Sequence, residues 1–254
     1  MKTCTTWTEQ DLDVLTKNYK IFSYQDLAFK LNKTEIAVRT RISKLGLGRK
    51  RHTLNESYFE YIDNPNKAYF LGFIMGDGCV SKNRLKISIH KKDSIILETF
   101  KELLDATQPI TKCVESKLEI CIYNPQIVLS LNKWNIIERK SFVAQLPKLE
   151  DTYLPHFIRG IFDADGSICR RKYIPKKQYS GAYFCIGTGS SGMAKDLNKV
   201  FILNNINTSI RTRVREGKKP YYEIHTSNNS EIAKLKDFLY SSADFYLKRK
   251  YEVF

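Results

Sequence analysis

Two aspartates, Asp77 and Asp165, each close an apolar run, are each followed by glycine, and lie 88 residues apart. Residues 69–80 read Tyr-Phe-Leu-Gly-Phe-Ile-Met-Gly-Asp-Gly-Cys-Val, and residues 157–168 read Phe-Ile-Arg-Gly-Ile-Phe-Asp-Ala-Asp-Gly-Ser-Ile. Read as helices, they carry small residues four apart: Gly72 and Gly76 in the first, Gly160 and Ala164 in the second. Each therefore offers a face on which another backbone can come close. The acid falls in the last turn, against the negative end of the helix dipole. Packing the two helices together would also bring Asp77 near Asp165, adding like-charge repulsion. A divalent cation relieves both costs. Oxygen donors completed by phosphate oxygens suit Mg2+, which keeps several waters and takes one or two carboxylates. The chemistry within reach is phosphodiester hydrolysis, with metals activating water and stabilising the leaving oxygen. One such segment alone reads equally well as a glycine-capped buried helix, but two copies make coincidence a poor explanation.

The elements around the two runs repeat as well. Leu118-Glu119-Ile120 followed by Asn124 matches Tyr222-Glu223-Ile224 followed by Asn228. An amphipathic helix is expected after each, around Ile127–Leu131 and Ile232–Leu239. Each half closes on a basic cluster, Ile137-Glu138-Arg139-Lys140 and Leu247-Lys248-Arg249-Lys250. The order is helix, hairpin, helix, hairpin, helix. Strand alternation marks one face for a partner: Leu85, Ile87 and Ile89 point one way, Lys86, Ser88 and His90 the other. Arg211, Arg213 and Arg215 likewise share a face. Such a row suits a polyanion, since arginine reads guanine and phosphate, and a face kept only for solvation would more often mix in acids. The basic stretch Arg170-Arg171-Lys172 with Lys176-Lys177 reads as a phosphate contact or as a solvated loop.

The two aspartate-closed runs resemble the LAGLIDADG motif, and the resemblance covers nearly all of residues 67–254. It implies two pseudo-symmetric αββαββα halves joined through residues 141–156, where Pro147 and Pro155 are expected to break structure. It implies a site-specific homing endonuclease, a monomer that straddles a long double-stranded DNA target and cuts both strands across the minor groove, leaving short 3′ overhangs. The motif helices would pack through Gly72, Gly76, Gly160 and Ala164. Asp77 and Asp165 would bind the catalytic Mg2+ (or another divalent metal such as Mn2+), with the carbonyls of Gly76 and Ala164 as further ligands. Met75 departs from the motif where Asp163 keeps its earlier acid. Members of the family carry a lysine near the end of each half that polarises the attacking water. Lys140 and Lys250 match best, Lys248 competes, and plain surface lysines are the alternative.

Residues 7–47 read as a separate three-helix module. Thr8 with Asp11, and Ser23 with Asp26, form capping-box patterns. Leu12, Leu15 and Tyr19 share a face, then Leu27, Ala28 and Leu31, then Val38, Ile42 and Leu45 after a Thr34 cap; Gly46 and Gly48 end the third helix. The plan is that of a helix-turn-helix, resembling homeodomain-like modules, whose third helix would present Arg39, Thr40, Ser43 and Lys44 to a DNA major groove. A small helical bundle that binds protein is the alternative. Arg49, Lys50 and Arg51 fall in an expected basic linker over 48–66, fit for a minor groove or for plain solvation.

Composition agrees with a nucleic-acid partner. The 254-residue chain has 42 Lys and Arg against 27 Asp and Glu, a net charge of +15, with 42% hydrophobic residues to build a core. No apolar run would span a bilayer, no signal segment follows Met1, and a soluble, cytoplasmic protein without membrane or protein partners is expected. Six cysteines (Cys4, Cys79, Cys113, Cys121, Cys169, Cys185) form no CxxC pair and read as reduced core residues. The fold expected is α+β: the helix-turn-helix module over 1–47, the linker, a first half over 67–145 and a second over 146–254. Three rivals to the endonuclease remain. An RNA maturase can lose an acid, whereas both are present. A DNA-binding regulator usually has decayed acids and a helix-turn-helix after the fold. An intein would open on a nucleophile and close on His-Asn-nucleophile.

Overall fold

The computed structural model describes residues 6–47, 52–171, 181–214 and 216–254. The chain divides into two compact units, Met1–Thr53 and Leu54–Phe254. The first holds three helices, α1 (Glu9–Asn18), α2 (Tyr24–Lys30) and α3 (Glu35–Lys44). Both expected capping boxes form: Thr8 and Asp11 bond reciprocally at α1, Ser23 and Asp26 at α2. Asn32 takes the left-handed turn at φ 49°, a conformation asparagine tolerates better than most residues, and Thr34 caps α3. Leu15, Leu27, Ala28, Leu31, Val38 and Ile42 make the core. Leu45, expected inward, is 39% exposed, because α3 has already ended. Gly46 at φ 67° turns the chain, the Leu47 N–H reaches back to the Ile42 carbonyl at 3.0 Å, and Leu47 packs on the core instead.

The second unit begins earlier than the expected linker allows. Tyr58, Phe59 and Ile62 are buried in its core, and the Trp134 indole N–H donates to the Phe59 carbonyl at 2.7 Å. These aromatic and apolar residues are drawn in by packing, so any linker is confined to the stretch before Leu54. The first half then runs α4 (Pro65–Asp77), β1 (Gly78–Ser81), β2 (Arg84–His90), α5 (Ile95–Leu103), β3 (Ile110–Val114), β4 (Lys117–Tyr123) and α6 (Pro125–Lys133). The second runs α7 (Leu154–Asp165), β5 (Gly166–Arg171), β6 (Gly181–Thr188), α8 (Ser191–Leu203), β7 (Ser209–Arg213), β8 (Tyr221–Thr226) and α9 (Asn229–Tyr240), followed by the short α10 (Lys248–Tyr251). Pro155, expected to break structure, sits in the first turn of α7, where its missing N–H costs nothing.

Each half carries a four-stranded antiparallel sheet, in the orders β1-β2-β4-β3 and β5-β6-β8-β7. The registers repeat: Gly78 faces Ile87 as Gly166 faces Ile186, and Thr111 faces Glu119 as Arg211 faces Glu223. In β2, Leu85, Ile87 and Ile89 are buried under the helices while Lys86, Ser88 and His90 lie on the opposite face. The cysteines depart from expectation. Cys79, Cys113 and Cys169 are exposed and Cys121 and Cys185 half-buried, because they alternate onto the open sheet face rather than the core face. Cys4 lies outside the described residues.

Candidate active site

The two motif helices are the centre of the second unit, packed along their small residues. A Cβ on Gly72 would fall 1.9 Å from the Phe157 carbonyl oxygen, and one on Gly160 would fall 2.0 Å from that of Tyr69. Backbone therefore rests on backbone. Further along, a Cβ on Gly76 would meet Ala164 Cβ at 2.5 Å and an oxygen of the Asp165 carboxylate at 3.1 Å. Gly72, Gly76, Gly160 and Ala164 all lie along this crossing. Asp77 and Asp165 are the last residues of α4 and α7, so the close crossing delivers both carboxylates to one place.

Both side chains open to solvent, yet neighbouring protein still excludes part of their water. That loss of water raises the Asp77 carboxyl above its ordinary value, with Lys250, Lys140 and Lys117 pulling the other way. Asp165 is pushed up to about 6, by the same loss of water and by the charge of Asp77. Two carboxylates that resist ionising together form a hard-oxygen site short of positive charge, which fits a divalent cation. Among the described residues no group of three or more His, Cys, Asp or Glu gathers around a point, so further oxygens would come from carbonyls, water or substrate.

Lys140 and Lys250 are not surface lysines: both are buried. Lys140 donates to the Gly78 carbonyl, the residue after Asp77. Lys250 donates to the carbonyls of Phe162 at 2.6 Å, Asp163 at 2.8 Å and Gly166 at 2.7 Å, the last being the residue after Asp165. Each ammonium so occupies carbonyls at a helix end where a cation is favoured. Arg139, left-handed at φ 58°, makes the turn that precedes Lys140. Burial lowers both lysines, Lys250 to about 8. The acid acting most strongly on Lys140 is Asp165 of the other half, and the lysine acting most strongly on Asp77 is Lys250. Lys248, the rival position, is exposed and lies 3.7 Å from Glu252.

Sequence reasoning passed over a polar network inside α7. Arg159, fully buried, donates to the carbonyls of Phe245 and Leu239 and to His156 Nδ1. Asp163, also buried, accepts from the Tyr69 hydroxyl at 2.8 Å and the Leu247 N–H at 2.9 Å. His156 drops to about 4, through burial and the Arg159 charge. The visible signal was an arginine and an acid four apart within an otherwise apolar run.

The open sheet faces are basic, but acids are woven in. Arg213 Nε lies 2.7 Å from Glu223 and Arg211 3.9 Å from it, and Lys86 lies 3.1 Å from Glu119. The expectation of a face unmixed with acids is therefore corrected: the neighbouring strand supplies a carboxylate at the matching register in each sheet. Ser88 is half-buried opposite Glu119, and exposed His90 accepts the Lys92 N–H at Nδ1. Arg170 is exposed and donates to the Val253 carbonyl at 3.3 Å, while Arg215, Lys172, Lys176 and Lys177 lie outside the described residues. In the N-terminal unit, Arg39, Thr40, Ser43 and Lys44 are all exposed on α3, with Arg39 paired to Glu35 at 2.7 Å and over the Tyr24 ring. Arg49, Lys50 and Arg51 lie outside the described residues.

A family profile described as a LAGLIDADG-like domain matches residues 64–121 and 153–239, one stretch in each half. The chain belongs to this LAGLIDADG-like family. The replication factor C small subunit of Methanocaldococcus jannaschii is 25% identical over 246 residues, covering 93% of this chain and 13% of that protein. This chain thus spans a small part of the curated relative it matches, and the match reaches into the N-terminal unit. Among solved structures, the meganuclease I-SmaMI bound to uncleaveable DNA has a TM-score of 0.53 at 17% identity, over 74% of this chain and 86% of its own. The LAGLIDADG homing endonuclease I-GzeII in complex with its DNA target has 0.54 at 13% identity, over 74% and 86%. The LAGLIDADG meganuclease I-AabMI bound to uncleaved DNA has 0.50 at 18% identity, over 74% and 87%. At these identities the likeness establishes the fold. Among the described residues no helix is long and apolar enough to cross a membrane.

Proposed function

We propose that the chain is a site-specific double-strand DNA endonuclease, a homing endonuclease that works as a monomer on a long duplex target. The observation that carries this reading is the convergence of Asp77 and Asp165 at the ends of two interlocked helices, flanked by buried Lys140 and Lys250. One carboxylate per pseudo-symmetric half suits a duplex, whose two strands are themselves related by a twofold axis.

Asp77 and Asp165 would hold Mg2+ or a similar divalent ion, with the carbonyls of Gly76 and Ala164 as further donors. Such an ion supplies an activated water and charge stabilisation at the leaving oxygen. The chain's own groups do the rest. Lys140 and Lys250 fix the helix-end carbonyls and set positive charge beside the acids, where phosphate charge builds during cleavage. Lys86, Ser88, His90, Arg211, Arg213 and Arg215 would face the duplex, reading base edges and phosphates. The N-terminal unit would act as a helix-turn-helix, with Arg39, Thr40, Ser43 and Lys44 in a major groove and Arg49, Lys50 and Arg51 on the backbone, extending the site. Cutting across the minor groove would leave short 3′ overhangs.

The test is incubation of the protein with a randomised duplex library, with Mg2+ or with EDTA, followed by sequencing of cut ends. Mg2+-dependent ends at one long sequence support the reading. Selection of a sequence without cutting favours a DNA-binding regulator, and preference for structured RNA favours a maturase.

A further inference from the structure

The two halves match in strand register around the acids but differ at the first position of their final sheet strands. Glu119 and Glu223 hold matching registers, as do Ile120 and Ile224, so Lys117 at the head of β4 corresponds to Tyr221 at the head of β8. Tyr221 lines a cavity of about 300 Å³ together with Asp165, Gly76 and Met75 at the ends of the motif helices. A second cavity, of about 610 Å³, also has Tyr221 in its lining, with Phe142, Arg213, Lys218 and Lys219. Tyr221 thus lines both a cavity that holds a carboxylate of the site and a recess that carries Lys218 and Lys219.

The backbone beneath has been cleared for it. A Cβ on Gly187 would fall 1.7 Å from the Tyr221 hydroxyl and 2.5 Å from the ring carbon that bears it. Gly187 faces Glu223 as Ser88 faces Glu119, so the first half keeps a side chain where the second has none. Glycine and tyrosine form a matched pair found only in the second half. Burial and the nearby Asp165 charge raise the Tyr221 phenol, which keeps it a proton donor at neutral pH. On the other side, Lys117 is among the charges that draw the Asp77 carboxyl down.

Resting on the nuclease reading, we propose that Tyr221 donates a hydrogen bond to a non-bridging oxygen of the phosphodiester served by Asp165, that Lys117 fills this place beside Asp77, and that the two strands are therefore cut by chemically different sites. No proton is transferred: the phenol keeps its hydrogen and holds developing negative charge. The consequence is an ordered reaction, with a nicked duplex as its intermediate.

The experiment uses the duplex that the wild-type protein selects and cuts from a randomised library, labelled separately on each strand. Tyr221→Phe is expected to slow one strand roughly 100-fold, the cost of losing one donor to a developing oxyanion, and to leave the other unchanged. Gly187→Ala, which displaces the phenol, should slow the same strand, and Lys117→Met the opposite one. Binding of Tyr221→Phe to the duplex in EDTA, read by gel shift, should weaken far less than the cutting of that strand. Equal slowing of both strands, no slowing, or a loss of binding in EDTA that accounts for the slower cutting would overturn the proposal. If wild-type protein cuts no duplex, the nuclease reading itself falls, and the Tyr221 role with it.

Discussion

The carboxylate of Asp163 accepts the backbone N–H of Leu247 at 2.9 Å, and three residues later Lys250 returns its ammonium to the end of the same helix. One buried acid in α7 thereby fixes the start of α10, and α10 delivers the lysine to the carbonyls beside Asp165. Replacing Lys250 with Met takes the ammonium donor from three carbonyls, of which that of Phe162 keeps the Gly166 N–H, whereas Lys140→Met takes it from one. Because unsatisfied buried groups cost about 1–3 kcal/mol each and partial relaxation is expected, Lys250→Met should lose about 3 kcal/mol in urea unfolding. Lys140→Met should lose less. Equal losses would mean that the capping bonds carry no weight.

The crossing of α4 and α7 makes a sharper demand. Gly72→Ala or Gly160→Ala places a carbon 1.9–2.0 Å from a carbonyl oxygen of the partner helix, and backbone cannot rotate away as a side chain can. Either substitution should cost at least about 3 kcal/mol, at the upper end of overpacking effects. A lower melting temperature or loss of soluble protein is expected, and wild-type stability would show that the helices cross elsewhere.

The motif glycines and acids were legible because their spacing is a property of one helix, and their duplication announced a second. The buried lysines were legible only as positions: whether Lys140 pointed to water or to a helix end depended on Arg139 adopting a left-handed turn, which no local pattern requires. Tyr58 and Phe59 were hidden in a stretch read as linker because short apolar runs take their place from tertiary packing. Glu223 was missed as the partner of Arg211 and Arg213 because cross-strand neighbours are distant in sequence, and register alone brings them together.

Asp165 sets a pH dependence with a definite sign. Its carboxyl stands near 6 in the folded protein against an ordinary 3.8, so between those values the folded state holds the proton more tightly. Stability then falls as pH rises through that window and stays lost above it. Asp165→Asn has no such proton to lose. In EDTA, its melting temperature should exceed that of wild type at pH 8 and approach it near pH 4. A gap that widens on acidification would contradict the crowding of the two acids.

Glu223 holds two arginines that would otherwise be free for phosphate. Glu223→Gln should tighten binding to arbitrary duplex and steepen the salt dependence of log Kd, since more phosphates are neutralised by released arginines. The difference between cognate and arbitrary duplex should shrink. An unchanged salt slope would place this sheet face away from DNA.

The central claim is that Asp77 and Asp165 together form the cutting site. Its most direct test is cleavage of the selected duplex by Asp77→Asn and by Asp165→Asn in Mg2+, with binding followed by gel shift. Loss of double-strand cutting in both variants, with affinity retained, is the expected result. Cutting at the wild-type rate by either variant would contradict the account.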